Sequence, residues 1–300
     1  MKQSKIGIVI LNYMTYELTI NCLNNLNSIV AEDFFVVIVD NLSPNNSYEK
    51  MDNYISENRF KYDIFLLKTD KNGGYSYGNN VGIKKAEELK ADYILIMNND
   101  IVIEDYNVIN KLADYLNENR SVAMVGPGII QKKSMIELPL ISKRVTPFVD
   151  IVKNVLYPCN IILYKILRKR IQKHKEPIKV YSLSGCCFMI RTTSLKQVNY
   201  FDDKLFLYGE ELILGEKLYK NNFGVYFIPT LNVVHNHSIT IKSIYDSKKI
   251  SAMKQESYKY YLDQYRKDID NKVSFLMVYS YFFVEKLYDP LIVSVKKILR

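Results

Sequence analysis

Cysteine is scarce in this 300-residue chain: Cys22, Cys159, Cys186 and Cys187 are the four, and no two form a C-x-x-C pair. That excludes a disulfide framework and fits a reducing compartment, with the adjacent Cys186 and Cys187 read as buried structural thiols. Long apolar runs are missing too, and none approaches the ~20 residues of a membrane-spanning helix. Met1 to Leu11 carries Lys2 and Lys5 and then a short apolar run ended by Asn12, too short for a secretory signal. No Gly-Lys-Ser/Thr and no G-x-G-x-x-G occurs in the glycine-rich stretch, which excludes a P-loop and a dinucleotide fingerprint there. Acid is in deficit, 32 Asp+Glu against 41 Lys+Arg, and the net charge of +9 suits an anionic partner: nucleotide phosphates, anionic lipid or nucleic acid.

What is present is β-α repetition. Ile6 to Leu11, Phe34 to Val39, Ile64 to Leu67 and Tyr93 to Met97 read as buried strands, since near-continuous β-branched and aromatic runs suit strands covered on both faces. Leu18 to Leu26, Tyr48 to Ile55 and Val81 to Leu89 have helical apolar spacing between them. The pattern predicts an α/β fold with an open, doubly wound sheet, whose ligands bind beyond the carboxyl ends of the strands. Three of those ends are polar: Asn12, Asp40 and the triplet Asn98-Asn99-Asp100. Beyond Gly126 the pattern breaks, and residues 131–177 hold Pro139, Pro147, Pro158 and Pro177 and no clean strand. Regular structure is expected again over Val180 to Arg191, in a helix from Tyr208 to Lys220 and in a strand through Val225 to Ile228. A helical tail is expected from about Ile244.

Four features could carry chemistry. Asp100, just past a buried strand, could hold a divalent cation that neutralises a leaving diphosphate; the plainer reading is a helix cap or Asx turn. The stretch Asn72 to Gly82, with Gly73, Gly74, Gly78 and Gly82, runs into a helix N-terminus that could meet an anion, or is a plain glycine-rich turn. Glu210 and Glu211 open a helix, where a carboxylate could accept a proton from a hydroxyl or simply complement the dipole. His235 and His237, two of the chain's three histidines, close a strand as a metal ligand or as ordinary core and surface residues.

The order of these elements is more specific than any one of them. Val39-Asp40-Asn41, Asn72 to Gly82, Met97 to Asp100, Gly185 to Arg191, Phe201-Asp202, Phe206 to Glu211 and Val234-His235 together resemble family 2 glycosyltransferases of the GT-A fold. The likeness is to the rhamnosyltransferase-type branch that builds bacterial surface polysaccharides, and it spans roughly residues 6 to 240. It implies a GT-A domain over 1–240, with a mostly parallel central sheet flanked by helices. Residues 1–125 would form the nucleotide-sugar half, 126–240 the acceptor half, and 241–300 a helical, membrane-associating or dimerising extension.

The same resemblance implies roles. Asp40 would sit against the nucleotide base, with Asn79 and Asn80 near base and ribose, and Asn41, Gly74, Asn98 and Asn99 would also belong to the donor site. Asp100 would hold Mn2+ or Mg2+, with His235 a second ligand. The family's catalytic Asp of Gly-Glu-Asp falls on Glu211, and a further family Asp is replaced by Ile213. The implied reaction is inverting transfer from a nucleoside-diphosphate sugar to a saccharide or lipid-linked acceptor, in capsule, O-antigen or cell-wall synthesis. The implied location is cytoplasmic, peripheral on the inner face of the cell membrane. Two basic-apolar segments, Phe148 to Lys175 and Phe275 to Arg300, are candidates for contact with anionic lipid, or else pack on the protein or in a homodimer. The competing readings are an inactive nucleotide-binding homologue and a basic nucleic-acid-binding protein; the reading adopted includes no nucleic-acid partner.

Overall fold

The computed structural model describes residues 4–29, 33–131, 135–137, 143–156, 174–236 and 246–283. Cys159, His237, residues 157–173 and the end of the chain from 284 lie outside them, and with them most of the two basic-apolar segments. The chain begins with β1 (Ile6–Asn12), α1 (Tyr16–Ser28), β2 (Phe34–Asp40), α2 (Ser47–Glu57), β3 (Ile64–Lys68), α3 (Gly74–Glu88) and β4 (Tyr93–Asn98). Strands β1 to β4 pair in parallel, in the order β3-β2-β1-β4. Both faces are covered, as the unbroken apolar runs require. Ile8 and Ile10 pack with Leu23, Met51 and Leu112 on one side, whereas Val9 and Val37 pack with Ile83, Leu195 and Leu214 on the other.

Past β4 the sheet becomes mixed. A two-residue β5 (Ile101–Val102), α4 (Val108–Glu118), β6 (Val122–Gln131), β7 (Met135–Glu137), α5 (Pro147–Val155) and β8 (Ile178–Lys179) follow. Then come β9 (Cys187–Arg191), α6 (Thr192–Gln197), α7 (Glu210–Lys220), β10 (Gly224–His235), α8 (Ser247–Tyr265) and α9 (271–283). β9 runs antiparallel between β4 and β6, and β10 lies parallel to β6. β10 outruns the expected Val225 to Ile228 because pairing with β6 resumes at Asn232 after an irregularity spanning Pro229, which has no N–H to give the ladder.

The glycine-rich stretch is the clearest departure from expectation. Helix α3 begins at Gly74, so most of Asn72 to Gly82 is helix rather than loop. A Cβ at Gly78 would meet Leu11 Cδ1 at 2.3 Å, and one at Gly82 would meet Val9 Cγ1 at 2.5 Å. Those two glycines, one turn apart, let the helix lie directly on β1.

The C-terminal helices pack on the body. Tyr261, Leu262, Ile269 and Met277 form a third apolar cluster with Leu205 and with Ile213, the residue that stands where the family carries an acid. Beside it runs a buried polar network. The carboxylate of Glu216, fully buried, accepts from Arg144 Nε at 2.9 Å and from the Tyr181 hydroxyl at 2.6 Å. The Tyr181 and Tyr261 hydroxyls lie 2.8 Å apart, and Arg266 reaches Asp268 at 3.0 Å and the carbonyl of Val145 at 2.8 Å. Among the described residues no helix is long and apolar enough to cross a membrane.

Burial pushes the Glu216 carboxyl up, but Arg144 and Tyr181 outweigh it and hold the group below its ordinary range. The hydrogen bond from Arg266 holds Asp268 down at about 2. Both shifts are depressions, so their contribution is present at neutral pH and is lost as pH falls from about 4, the unfolded value, toward 2. Arg144→Ala, which strands a buried carboxylate, is expected to cost about 3 kcal/mol in denaturant unfolding, with the deficit to wild type shrinking below pH 4.

Candidate active site

The register places three polar strand ends in one row. Asn12 pairs with Asp40, and the preceding Leu11 pairs with Asn98. Beneath the row lies a continuous hydrogen-bonded chain. Asn12, fully buried, donates from Nδ2 to Asp40 Oδ1 at 2.8 Å, and the backbone N–H of Ser43 donates to Asp40 Oδ2 at 2.9 Å. Asn12 Oδ1 accepts from the Thr19 hydroxyl at 2.9 Å, and Thr19 in turn accepts from Asn99 Nδ2 at 2.9 Å. Thr15 Oγ1 takes the same amide at 2.9 Å. The carboxylate of Asp40 is thus tied, through Asn12 and helix α1, to the loop that carries Asp100.

Asp100 and His235 meet because β5 pairs antiparallel with the end of β10, with Ile101 opposite His235. The N–H of Asn236 donates to the Asp100 carbonyl at 2.9 Å, and His235 Nε2 lies 3.2 Å from Asp100 Oδ1. A carboxylate oxygen and an imidazole nitrogen therefore converge at the row's end. Among the described residues no group of three or more His, Cys, Asp or Glu side chains could hold a metal. A cation here would take at most these two side chains and fill its remaining positions with diphosphate oxygens and water, which suits a hard divalent ion.

The turn at Gly185-Cys186 joins that end of the site to the paired glutamates. The N–H of Asn98 donates to the Cys186 carbonyl at 2.8 Å, while the N–H of Gly185 donates to Glu211 Oε1 at 3.2 Å. The hydroxyl of Tyr75, in the first turn of α3, donates to the Gly185 carbonyl at 2.5 Å. Gly185 is thus held at both of its backbone polar groups, the carbonyl by Tyr75 and the N–H by Glu211. Burial raises the Glu211 carboxyl and raises that of Glu210 further, the charge of Glu211 adding to the second. Both open α7 behind a turn strained at Tyr208, with φ 71°, and continued by Gly209 at φ 81°, which glycine adopts freely. Ser257 of α8 braces it, donating its hydroxyl to the Leu207 carbonyl at 3.0 Å.

Several motif residues serve as joints. Asn80 clamps the backbone of Phe201, donating to its carbonyl at 3.0 Å and accepting from its N–H at 3.1 Å. Asn79 is buried and donates to the Tyr75 carbonyl at 3.0 Å. Asn41 donates to Asn72 Oδ1 at 2.9 Å and to the Gly74 carbonyl at 3.1 Å. The N–H of Gly74 goes to Asn72 Oδ1 at 3.2 Å and that of Tyr75 to the Phe206 carbonyl at 3.0 Å, so the opening N–H groups of α3 are already engaged. Asp202 accepts from the hydroxyls of Tyr260 and Tyr265 at 2.8 and 2.6 Å. Arg191 anchors helix α4, donating to the Leu116 carbonyl at 2.6 Å. Cys22, Cys186 and Cys187 are buried, and burial pushes the Cys22 thiol up to about 12. Sequence reasoning missed Asn12, Thr19 and Tyr75; Asn12 alone gave a signal, as a polar strand end.

Comparison with known proteins gives the family and the fold. The family model for glycosyl transferase family 2 matches residues 7–198, more than half of the chain. The chain belongs to glycosyl transferase family 2. It is 24% identical over 259 residues to the low-salt glycan biosynthesis hexosyltransferase Agl10 of Haloferax volcanii, covering 86% of this chain and 72% of that protein. Over 69 residues it is 30% identical to the N-acetylglucosaminyl-diphospho-decaprenol L-rhamnosyltransferase of Mycobacterium tuberculosis, covering 23% of this chain and 22% of that one. Among solved structures, S. aureus TarS 1-349 with UDP-GlcNAc superposes with TM-score 0.57 at 17% identity, over 94% of this chain and 72% of that one. The Pyrobaculum calidifontis mannosyltransferase PcManGT with GDP-Man and Mn2+ gives TM-score 0.58 at 11% identity, over 94% and 70%. The fold is that of GT-A enzymes, and the chain is a glycosyltransferase.

Two substitutions test the scaffold. Asn12→Ala leaves the buried Asp40 short of a donor and should lower stability by about 2 kcal/mol, read by chemical unfolding. A Cβ at Gly74 would fall 1.9 Å from the Phe206 carbonyl oxygen, at a φ of +85°. Gly74→Ala is therefore expected to destabilise by about 2 kcal/mol or more, visible as a lowered melting temperature.

Proposed function

We propose that this enzyme transfers a sugar, with inversion, from a nucleoside-diphosphate sugar to a hydroxyl of a lipid-linked saccharide in the synthesis of a surface polysaccharide. The carrying observation is that Asn98, two residues before the Asp100 that meets His235, and Glu211 are fastened to the same two-residue turn, Gly185-Cys186. A metal site at the leaving group and a carboxylate at the attacking hydroxyl are what one-step displacement requires. The donor class is supported by the fold neighbours solved with UDP-GlcNAc and GDP-Man, and the acceptor class by the mycobacterial relative, whose name specifies a diphospho-decaprenol carrier.

In this reading Asp100 and His235 hold the cation, Mn2+ before Mg2+ because an imidazole is a softer donor than the harder ion favours. The cation, when bound, neutralises the departing diphosphate. Asn98 and Asn99 set the loop from which Asp100 projects. Glu211 Oε2 takes the proton of the acceptor hydroxyl while Gly185 N–H steadies Oε1. Asp40 sits against the nucleotide base and Asn79 and Asn80 near base and ribose, and with Asn41 and Gly74 they hold strand ends and loops of the donor side in place.

Purified protein incubated with a panel of nucleotide sugars, Mn2+ and lipid-linked acceptors should release nucleoside diphosphate. Chelation should abolish release, and Asp100→Asn should lower it roughly 100-fold. Glu211→Gln should lower kcat about 100-fold or more. Full activity in Glu211→Gln rejects the base assignment, and no release with any donor and acceptor pair turns the reading to an inactive homologue. Because the carboxyl of Glu211 is raised and must be ionised to accept a proton, kcat/KM should rise with pH through a value above that of an ordinary glutamate. Tyr75→Phe, which frees the Gly185 peptide, should move that limb to higher pH.

A further inference from the structure

Residues 181–185, between β8 and β9, run alongside α7, the helix that Glu210 and Glu211 open. The approach is closest at Gly215, where a Cβ would fall 2.7 Å from the Tyr181 carbonyl oxygen and 3.2 Å from the Ser182 Cβ. A residue without a side chain is what lets a neighbouring backbone lie this near a helix. Gly215 stands four residues after Glu211, one turn along the same side of α7. The glutamate therefore leaves the helix on the side that the segment covers.

That side is gripped at three points. The Tyr181 hydroxyl donates to Glu216 at 2.6 Å, and the Gly185 N–H donates to Glu211 Oε1 at 3.2 Å. Between them the Ser182 hydroxyl donates to the backbone carbonyl of Glu211 at 2.9 Å. In an α-helix that carbonyl already receives the N–H four residues on, so Ser182 occupies its second lone pair. Ser182 is fully buried, and the other acceptor in its reach, the Leu183 carbonyl, is farther off at 3.4 Å. The helix ladder is complete without this hydroxyl. What the hydroxyl adds is a fixed main chain at the one residue whose carboxylate Gly185 also fixes. Glu211 is thus held at its main chain and at its carboxylate by the same stretch, which among the described residues makes no hydrogen bond to Glu210. A glutamate has one more rotatable bond than an aspartate, so the second hold matters more for its aim.

We propose that Ser182 is a positioning residue for the base, anchoring the main chain of Glu211 so that Oε2 meets the acceptor hydroxyl, with Gly215 as the close approach that makes the anchor possible. It rests on Glu211 as the base of the proposed reaction. Two readouts separate this role from a structural one. The Glu211 carboxyl is titrated by carbon-13 NMR of glutamate-labelled protein, its resonance assigned by its loss in Glu211→Gln, and nucleoside diphosphate release is followed in parallel. In Ser182→Ala the Gly185 N–H bond, which favours the charged carboxylate, loosens, so the titration midpoint should rise by roughly half a pH unit. Glu210 and Tyr75, the ionisable groups facing that carboxylate, are the same in the variant. Its kcat should fall roughly tenfold with the KM for the nucleotide sugar unmoved, and the rising limb of kcat/KM should follow the midpoint upward. Melting should drop by only about 3 °C. Ser182→Cys, nearly the same shape with a weak donor, should give the same shifts and separates the lost hydrogen bond from a packing defect. The proposal is overturned if the midpoint and kcat of Ser182→Ala match wild type, or if kcat falls only with the folded fraction while the midpoint stays in place. If wild type releases no nucleoside diphosphate with any donor, the proposed reaction fails, and the titration alone still decides whether Ser182 sets the Glu211 carboxyl.

Discussion

The site depends on one fully buried amide, that of Asn12. Its nitrogen satisfies the Asp40 carboxylate and its oxygen accepts from Thr19, which accepts from Asn99. A carboxylate taken out of water with no donor costs several kcal/mol, so the strand end, helix α1 and the Asp100 loop are bound to take up one arrangement together. The apolar strands bring their ends level; this polar chain fixes what projects from them. That support matters because no dense cluster of side chains holds the loop: among the described residues Asp100 meets His235, and no group of three or more His, Cys, Asp or Glu side chains gathers.

The later half of the chain is built on the same logic with different parts. The Gly185-Cys186 turn has no regular structure of its own, yet its backbone groups are spent on Asn98, Tyr75 and Glu211, three residues from three elements. The turn before α7 is strained at Tyr208 and is held by Ser257. Helix α8 also supplies the two tyrosines on Asp202 and the Tyr261 of the buried Glu216 network. The C-terminal helices are therefore part of the machinery that positions the paired glutamates. They bury one face in doing so, which leaves α9 with the other in solvent.

Much of the parallel half was legible because it is governed by local rules. Strands covered on both faces must be apolar throughout, and their polar ends then stand out. The doubly wound order follows from helices alternating with strands. The mixed half was not legible in the same way. Two-residue β5 carries no periodicity, and its pairing with β10, which brings His235 to Asp100, exists only in three dimensions. Glycines give an ambiguous signal for a physical reason: close approach to a ligand and close approach to a strand make the same demand on a side chain. At Gly78 and Gly82 the neighbour is β1. The same holds for Asn79 and Asn80, since an amide that recognises a ring edge is equally fit to clamp a peptide group, as Asn80 does at Phe201.

The departures from the family pattern read differently once packing is known. Ile213, in place of an acid, lies in the apolar cluster with Tyr261 and Leu262, where an ionised side chain would be buried without a partner. Its identity answers to packing against helix α8 rather than to catalysis. Glu211, in place of Asp, is one methylene longer, and Gly185 has no side chain opposite it: a Cβ there would lie 3.0 Å from Glu211 Oε1. The longer arm is accommodated by that gap and steadied by the Gly185 N–H, with Tyr75 holding the carbonyl of the same residue. The charge of Glu211 is opposed by burial and supported by backbone hydrogen bonds, that from Gly185 among them, and burial wins, so its carboxyl is raised above the ordinary glutamate range.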